Sequence, residues 1–252
     1  MKKLLPVILS ILLLAACGNN EETTTETNGQ PEDKSLKVAS LIPPMTDILE
    51  IAKPLLAKEG IDLEVVVLSD NVQPNSSLAA GEVDANLFQH QPFMEEYNKA
   101  NDADLAAIQK IYYPNFSIYS KNYDSWDSVP KGATLAVAND VSNIDRTLQL
   151  LAQNKVLALG KKKDTYYTYD DITDNPKNIE FKEVDLLMLA RMYDDADIVA
   201  MYPAYASPLG LTPSEDALLQ ELPGNDFAIQ LVTREDNKDD EAIKKLVEVL
   251  RS

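Results

Sequence analysis

Arg146 follows the apolar run Ala133-Thr134-Leu135-Ala136-Val137 and the polar step Asn139-Asp140, one turn into what reads as a helix. A guanidinium placed there can clamp a carboxylate through two parallel hydrogen bonds. A surface ion pair with Asp145 or Asp140 fits the same position. His90 is the only histidine. It cannot make a zinc site by itself, because zinc needs several nitrogen or sulfur ligands and carboxylates alone suit hard cations. A satisfied histidine at a core or cleft edge fits it as well as a ligand contact does. Phe88, Phe93, Tyr112 and Tyr113 supply aromatic surface for a thioether or aliphatic group, although such rings also fill cores. A hydrolase would need a nucleophile with a positioned base. No G-x-S-x-G run occurs, and one histidine would have to serve every step. Cys17 is the only cysteine, so neither an internal disulfide nor a thiol pair for zinc can form. No metal and no cofactor is expected.

The surroundings of Cys17 give it a different chemistry. Lys2 and Lys3 precede a run from Leu4 to Ala16 that is apolar apart from Ser10. A spanning helix needs about 20 apolar residues, so this run is a signal peptide rather than a membrane span. Leu14-Ala15-Ala16-Cys17 is similar to a bacterial lipobox. That similarity implies cleavage before Cys17 and a diacylglycerol on its thiol. Residues 1–16 are then the signal, and residues 17–34 a lipidated tether. The tether has no large apolar residue and is expected to be disordered. The protein is expected on the extracytoplasmic face of the cell membrane. Its formal net charge of -18 repels nucleic acid. The same charge disfavours docking on anionic lipid, so the acyl chains must do the anchoring. With 8 glycines and no G-x-G-x-x-G or Walker pattern, a phosphate-binding loop is not expected.

Elements able to position these side chains begin near Leu36. The pattern predicts a strand over Leu36–Leu41 and a helix from Asp47 to about Lys58, capped by Thr46, with Ile48, Ile51, Leu55 and Leu56 as its apolar stripe. A strand over Leu63–Leu68, a short helix over Pro74–Ala80, a strand over Asp84–Phe88 and a helix opened by Pro92 follow. This alternation implies a parallel sheet covered on both faces. Ile118–Ser120 reads as a strand leading out. A second unit then has strands over Ala133–Val137, Ile179–Val184 and Ala196–Met201. Its helices are one capped by Ser142 or Asn143 and one over Leu186–Tyr193. The chain returns through a strand over Phe227–Val232 and an amphipathic helix over Glu241–Leu250. Lys161-Lys162-Lys163 reads as a solvated loop, and Tyr166-Tyr167-Thr168-Tyr169 as an interface or a packed loop. Two α/β units with a chain that crosses and returns suggest two lobes and a ligand cleft between them.

Several segments together resemble the methionine-binding lipoproteins that feed ABC importers. They are Asp70-Asn71-Val72-Gln73-Pro74-Asn75, Gly81 to Phe93 with its Phe88-Gln89-His90-Gln91-Pro92-Phe93 run, Asn139-Asp140 with Asn143 and Arg146, and Asn175-Pro176-Lys177-Asn178. The resemblance covers about Leu36 to Arg234. It implies a two-lobed type II periplasmic-binding-protein fold, with lobe I over 35–118 and 205–252 and lobe II over 119–204. It also implies an amino acid or small peptide as ligand, with an ABC permease and ATPase as partners. The ligand-binding residues it implies are Arg146, His90, Phe88, Phe93, Asn71 and Asn143, to which the aromatic surface adds Tyr112. The sequence departs from the pattern in places. Phe93 and Asn71 stand where tyrosines are usual, and Leu87 where an aromatic is usual. Ala204 and Ile229 stand where two asparagines are typical. The competing functions are a surface lipoprotein with an adhesive or structural role, and a hydrolase.

Overall fold

The computed structural model describes residues 34–222 and 227–252. The signal, Cys17 and nearly all of the expected tether lie outside the described residues. Strand β1 (Lys34–Ser40) begins two residues earlier than its apolar pattern does. Lys34 already pairs with Ile61, and its backbone N–H donates to the carbonyl of Gly60 at 3.3 Å.

The chain then alternates through α1 (Met45–Ala57), β2 (Ile61–Val67), α2 (Gln73–Ala79), β3 (Ala85–His90), α3 (Gln91–Asn101) and β4 (Leu105–Tyr112). It crosses to β5 (Ser117–Tyr119), β6 (Thr134–Ala138) and α4 (Val141–Gln153). A small hairpin of β7 (Ala158–Leu159) and β8 (Ile172–Asp174) leads to β9 (Glu180–Val184), α5 (Leu189–Asp195) and β10 (Ile198–Met201). After α6 (Pro203–Ala206), α7 (Pro213–Asp216) and β11 (Ala217–Gln220), the chain returns to β12 (Ile229–Arg234) and α8 (Glu241–Leu250).

Two five-stranded sheets result. The first runs β2-β1-β3-β12-β4, with β2, β1 and β3 parallel and β12 antiparallel to both its neighbours. Alternation along its strands fills both faces. Val38 and Leu231 pack with Leu49 and Leu56 of α1 and Leu246 of α8, whereas the adjacent Ala39 and Val232 pack with Leu78 of α2 and Met94 of α3. The second sheet runs β11-β5-β10-β6-β9, with β6 parallel to β10 and β9 and β5 antiparallel to β10 and β11.

Several expectations need correction. The buried stripe of α1 is Met45, Leu49, Ala52 and Leu56, and Ile51 is 69% exposed. The register follows from starting the helix at Met45, with Pro44 rather than Thr46 at its cap. Helix α4 is capped by Asp140, whose carboxylate accepts from the N–H of Asn143 at 3.0 Å. Leu186–Met188 forms a short 3-10 turn ahead of α5. Strands β4 and β11 were not anticipated. Strand β11 belongs to the second sheet, where Ala217 pairs with Tyr119. The chain therefore leaves the first sheet after Tyr112 and the second after Gln220, rejoining the first at Ile229. None of the described helices is long and apolar enough to cross a membrane.

Candidate functional site

A cavity lies where the two sheets meet, with about 560 Å3 of atom-free space including its mouth. The first unit contributes Phe88 and His90 from β3, Phe93 from α3, Tyr112 from β4 and Ile229 from β12. The second contributes Asn143 from α4, Leu186, Tyr202 and, from α6, Ala204 and Tyr205. Five of the seven expected ligand-binding residues are thus brought together: Phe88, His90, Phe93, Tyr112 and Asn143. Among the described residues, no Asp, Glu, Lys or Arg side chain lines the cavity.

His90 ends β3 and caps α3. Its Nδ1 accepts the N–H of Phe93 at 3.2 Å, so the ring proton belongs on Nε2, which faces Oδ1 of Asn143 at 3.4 Å. Burial first, and the nearby Arg146 charge second, push the imidazole pKa down to about 3. The ring is neutral at physiological pH. Its edge contacts with Phe93 and Phe227, at centroid distances of 6.3 and 5.2 Å, fix its plane.

Asn143 is held on every side. Its Oδ1 also accepts the Tyr202 hydroxyl at 2.5 Å, and its Nδ2 donates to Asp140 Oδ2 at 2.7 Å. Asp140→Ala is expected to cost about 1–2 kcal/mol, the worth of an N-cap side chain. It is also expected to free the Asn143 amide. Urea denaturation measures the first effect, and a crystal structure of the variant the second. An unchanged midpoint would show that the cap is dispensable. Gln89 reaches the wall as well, but its amide is tied into a buried cluster with Asn75 and Asn86, with bonds of 2.5 to 2.9 Å.

Arg146 departs from the expected clamp. Its side chain is fully buried beside the cavity and does not line it. Nε donates to Glu221 Oε1 at 3.0 Å and Nη2 to Glu221 Oε2 at 2.6 Å, so the fork is filled by the chain's own carboxylate. Neither Asp145 nor Asp140 is its partner. Nη2 also donates to the Pro114 carbonyl at 3.2 Å. The rings of Phe116, Tyr202 and Phe227 surround the guanidinium at 4.9, 4.9 and 4.6 Å. Nη1 has no hydrogen-bond partner among the described residues.

Asn71 is buried ahead of α2 and does not reach the cavity, and Tyr113 is 53% exposed. The lysine run is partly engaged. Lys162 pairs with Asp145 at 3.1 Å, and Lys163 donates to the Asp170 carbonyl at 2.9 Å. The tyrosine run includes an interface contact, since the Tyr166 hydroxyl donates to the Pro92 carbonyl of the other unit at 3.1 Å. Glu221, Tyr202, Leu186 and Tyr205 escaped the sequence reading. Tyr202 and Tyr205 carried a usable signal, because they follow directly on the carboxyl end of a strand. Among the described residues no group of His, Cys, Asp or Glu could hold a metal.

A family model described as NlpA lipoprotein matches residues 36–252. The D-methionine-binding lipoprotein MetQ of Salmonella typhi is 34% identical over 249 residues, covering 97% of this chain and 88% of that protein. An ABC transporter periplasmic substrate-binding protein from Coxiella burnetii superposes with a TM-score of 0.81 at 35% identity, covering 86% of this chain and 92% of that one. A nutrient-binding protein from Burkholderia cenocepacia, solved bound to methionine, gives a TM-score of 0.82 at 32% identity, with 86% and 92% covered. The fold is the two-lobed periplasmic-binding-protein fold.

Proposed function

We propose, since this chain belongs to the NlpA lipoprotein family, that it is the extracytoplasmic substrate-binding component of an ABC importer for methionine or a related amino acid or short peptide. The cavity between the two sheets, walled by side chains of both, carries this reading. Phe88, Phe93, Leu186 and Ile229 offer an apolar surface suited to a thioether or aliphatic side chain. Arg146, buried beside the cavity with Nη1 unpartnered among the described residues, is the donor assigned to a ligand carboxylate once the lobes move. The lobes are residues 34–112 with 229–252 and residues 117–220, and the two crossings are the hinges. A lipid on Cys17 holds the body at the membrane, where it hands ligand to a permease driven by an ATPase. The protein performs no catalysis and binds no nucleic acid.

Ala204 and Ile229 both line the cavity, and neither offers a polar side-chain atom to an amino acid's backbone groups. Each hydrogen bond left unmade in a closed cleft costs about 1–3 kcal/mol, so free L-methionine is expected to bind weakly. Calorimetry with L-methionine and methionine-containing dipeptides tests the proposal. Binding of one of these probes is expected, with L-methionine strengthened by Ala204→Asn plus Ile229→Asn. If no amino acid or dipeptide binds at millimolar concentration, the import reading fails.

A further inference from the structure

The polar side chains in the cavity wall are almost all committed. Gln89 is tied into the Asn75–Asn86 cluster, and His90 bonds Phe93 and faces Asn143. Asn143 and Tyr202 bond each other. Two phenols are left. Tyr112 comes from the end of β4 in the first unit and Tyr205 from α6 in the second, both line the cavity, and neither hydroxyl bonds a described residue. We infer that Tyr112 and Tyr205 form a two-donor subsite, one hydroxyl from each lobe, for a neutral acceptor oxygen on the ligand.

The inference rests on the import reading above and narrows its ligand class. Burial pushes the Tyr112 pKa up to about 12 and raises that of Tyr205, with Tyr112 among the groups acting on Tyr205. Both hydroxyls therefore stay protonated and able to donate. The acceptor is uncharged, because no described residue of the wall carries a positive side chain to compensate an anion there. A ligand carboxylate is therefore not the group this subsite takes. Free methionine carries no further strong acceptor, since a thioether sulfur accepts only weakly. An acyl or peptide carbonyl supplies such an oxygen, and so does a sulfoxide. A ligand of this kind bonds both lobes through one atom and so favours the closed cleft.

The test is calorimetric titration of the wild-type protein and of Tyr112→Phe and Tyr205→Phe with three probes: L-methionine, N-acetyl-L-methionine and L-methionine sulfoxide. Phenylalanine keeps the ring and removes only the donor. One of the two acceptor-bearing probes is expected to bind about tenfold more tightly than L-methionine, the effect of one net hydrogen bond. Which of them does so tells whether the oxygen is acyl or sulfoxide. Each variant is expected to lose most of that advantage, measured against the same variant's own affinity for L-methionine. The subsite is overturned if neither probe gains, or if the gain survives in either variant. If L-methionine binds but no gain appears, the import reading stands without the subsite. If none of the probes binds the wild type, the subsite falls, and the import reading falls with it only if the dipeptides also fail to bind.

Discussion

Glu221→Gln is expected to destabilise the protein by about 3–5 kcal/mol, the cost of leaving one partner of a buried ion pair charged and alone. The side chains of Arg146 and Glu221 are 0% and 3% exposed, so water cannot take over the lost partner's role. The guanidinium would keep the Pro114 carbonyl and three aromatic faces but no anion. For a folded body of this size the melting temperature falls by roughly 2–4 °C per kcal/mol, so a drop of about 6–20 °C is expected. The double variant Arg146→Met plus Glu221→Met removes both charges and is expected to recover much of the loss, because similar apolar groups can replace a buried pair at little cost. Urea denaturation of the wild type, Arg146→Met, Glu221→Met and the double variant gives the coupling directly. Additive losses, or a single-variant loss below about 1 kcal/mol, would show that the pair does not anchor this region.

Acid is expected to destabilise the protein through His90 before the carboxylates titrate. The unfolded imidazole takes a proton near pH 6.5, whereas the folded one resists until about 3. Below pH 6.5 the unfolded state therefore binds the extra proton. The contribution is intact above that pH and is lost as pH falls toward the folded pKa. The slope approaches about 1.4 kcal/mol per pH unit, and the whole effect is roughly 4–5 kcal/mol. Because the chain has one histidine, stability lost between pH 6.5 and 5 is assigned without ambiguity. In His90→Asn, which keeps a good N-cap type, that slope should vanish. Proton NMR of the imidazole offers an independent check. A wild-type ring titrating near 6.5 would mean that it is solvated and that the buried environment is wrong.

The sequence was informative wherever one periodicity decided an element. Helix α8 begins and ends where its apolar stripe says, and β3 with α3 follows from the Phe88-to-Phe93 run and Pro92. Strand β4 was missed because most of its residues are half-buried, so Leu105 to Tyr112 has neither a clean alternation nor a continuous apolar core. Strand β11 has four residues at a sheet edge, too few for a pattern. At the site, the aromatic residues and His90 were legible as a cluster because β3 and the start of α3 carry most of them. The partner of Arg146 was not. Glu221 lies 75 residues away in sequence, while Asp140 and Asp145 are close in the chain and engaged elsewhere. Local spacing favoured these near neighbours, and the tertiary fold chose the distant one.

Arg146 also touches both passages of the chain between the sheets. It bonds the Pro114 carbonyl in the first and the Glu221 carboxylate at the start of the second, while standing on α4 of the second unit. The two cables that join the halves are thus fastened at one point. A rotation of one half about that point leaves all three bonds intact, whereas sliding one half past the other would stretch them together. On the proposed hinges, the guanidinium would act mechanically as a pivot pin, and the motion it would leave soft is the swing of a clamshell.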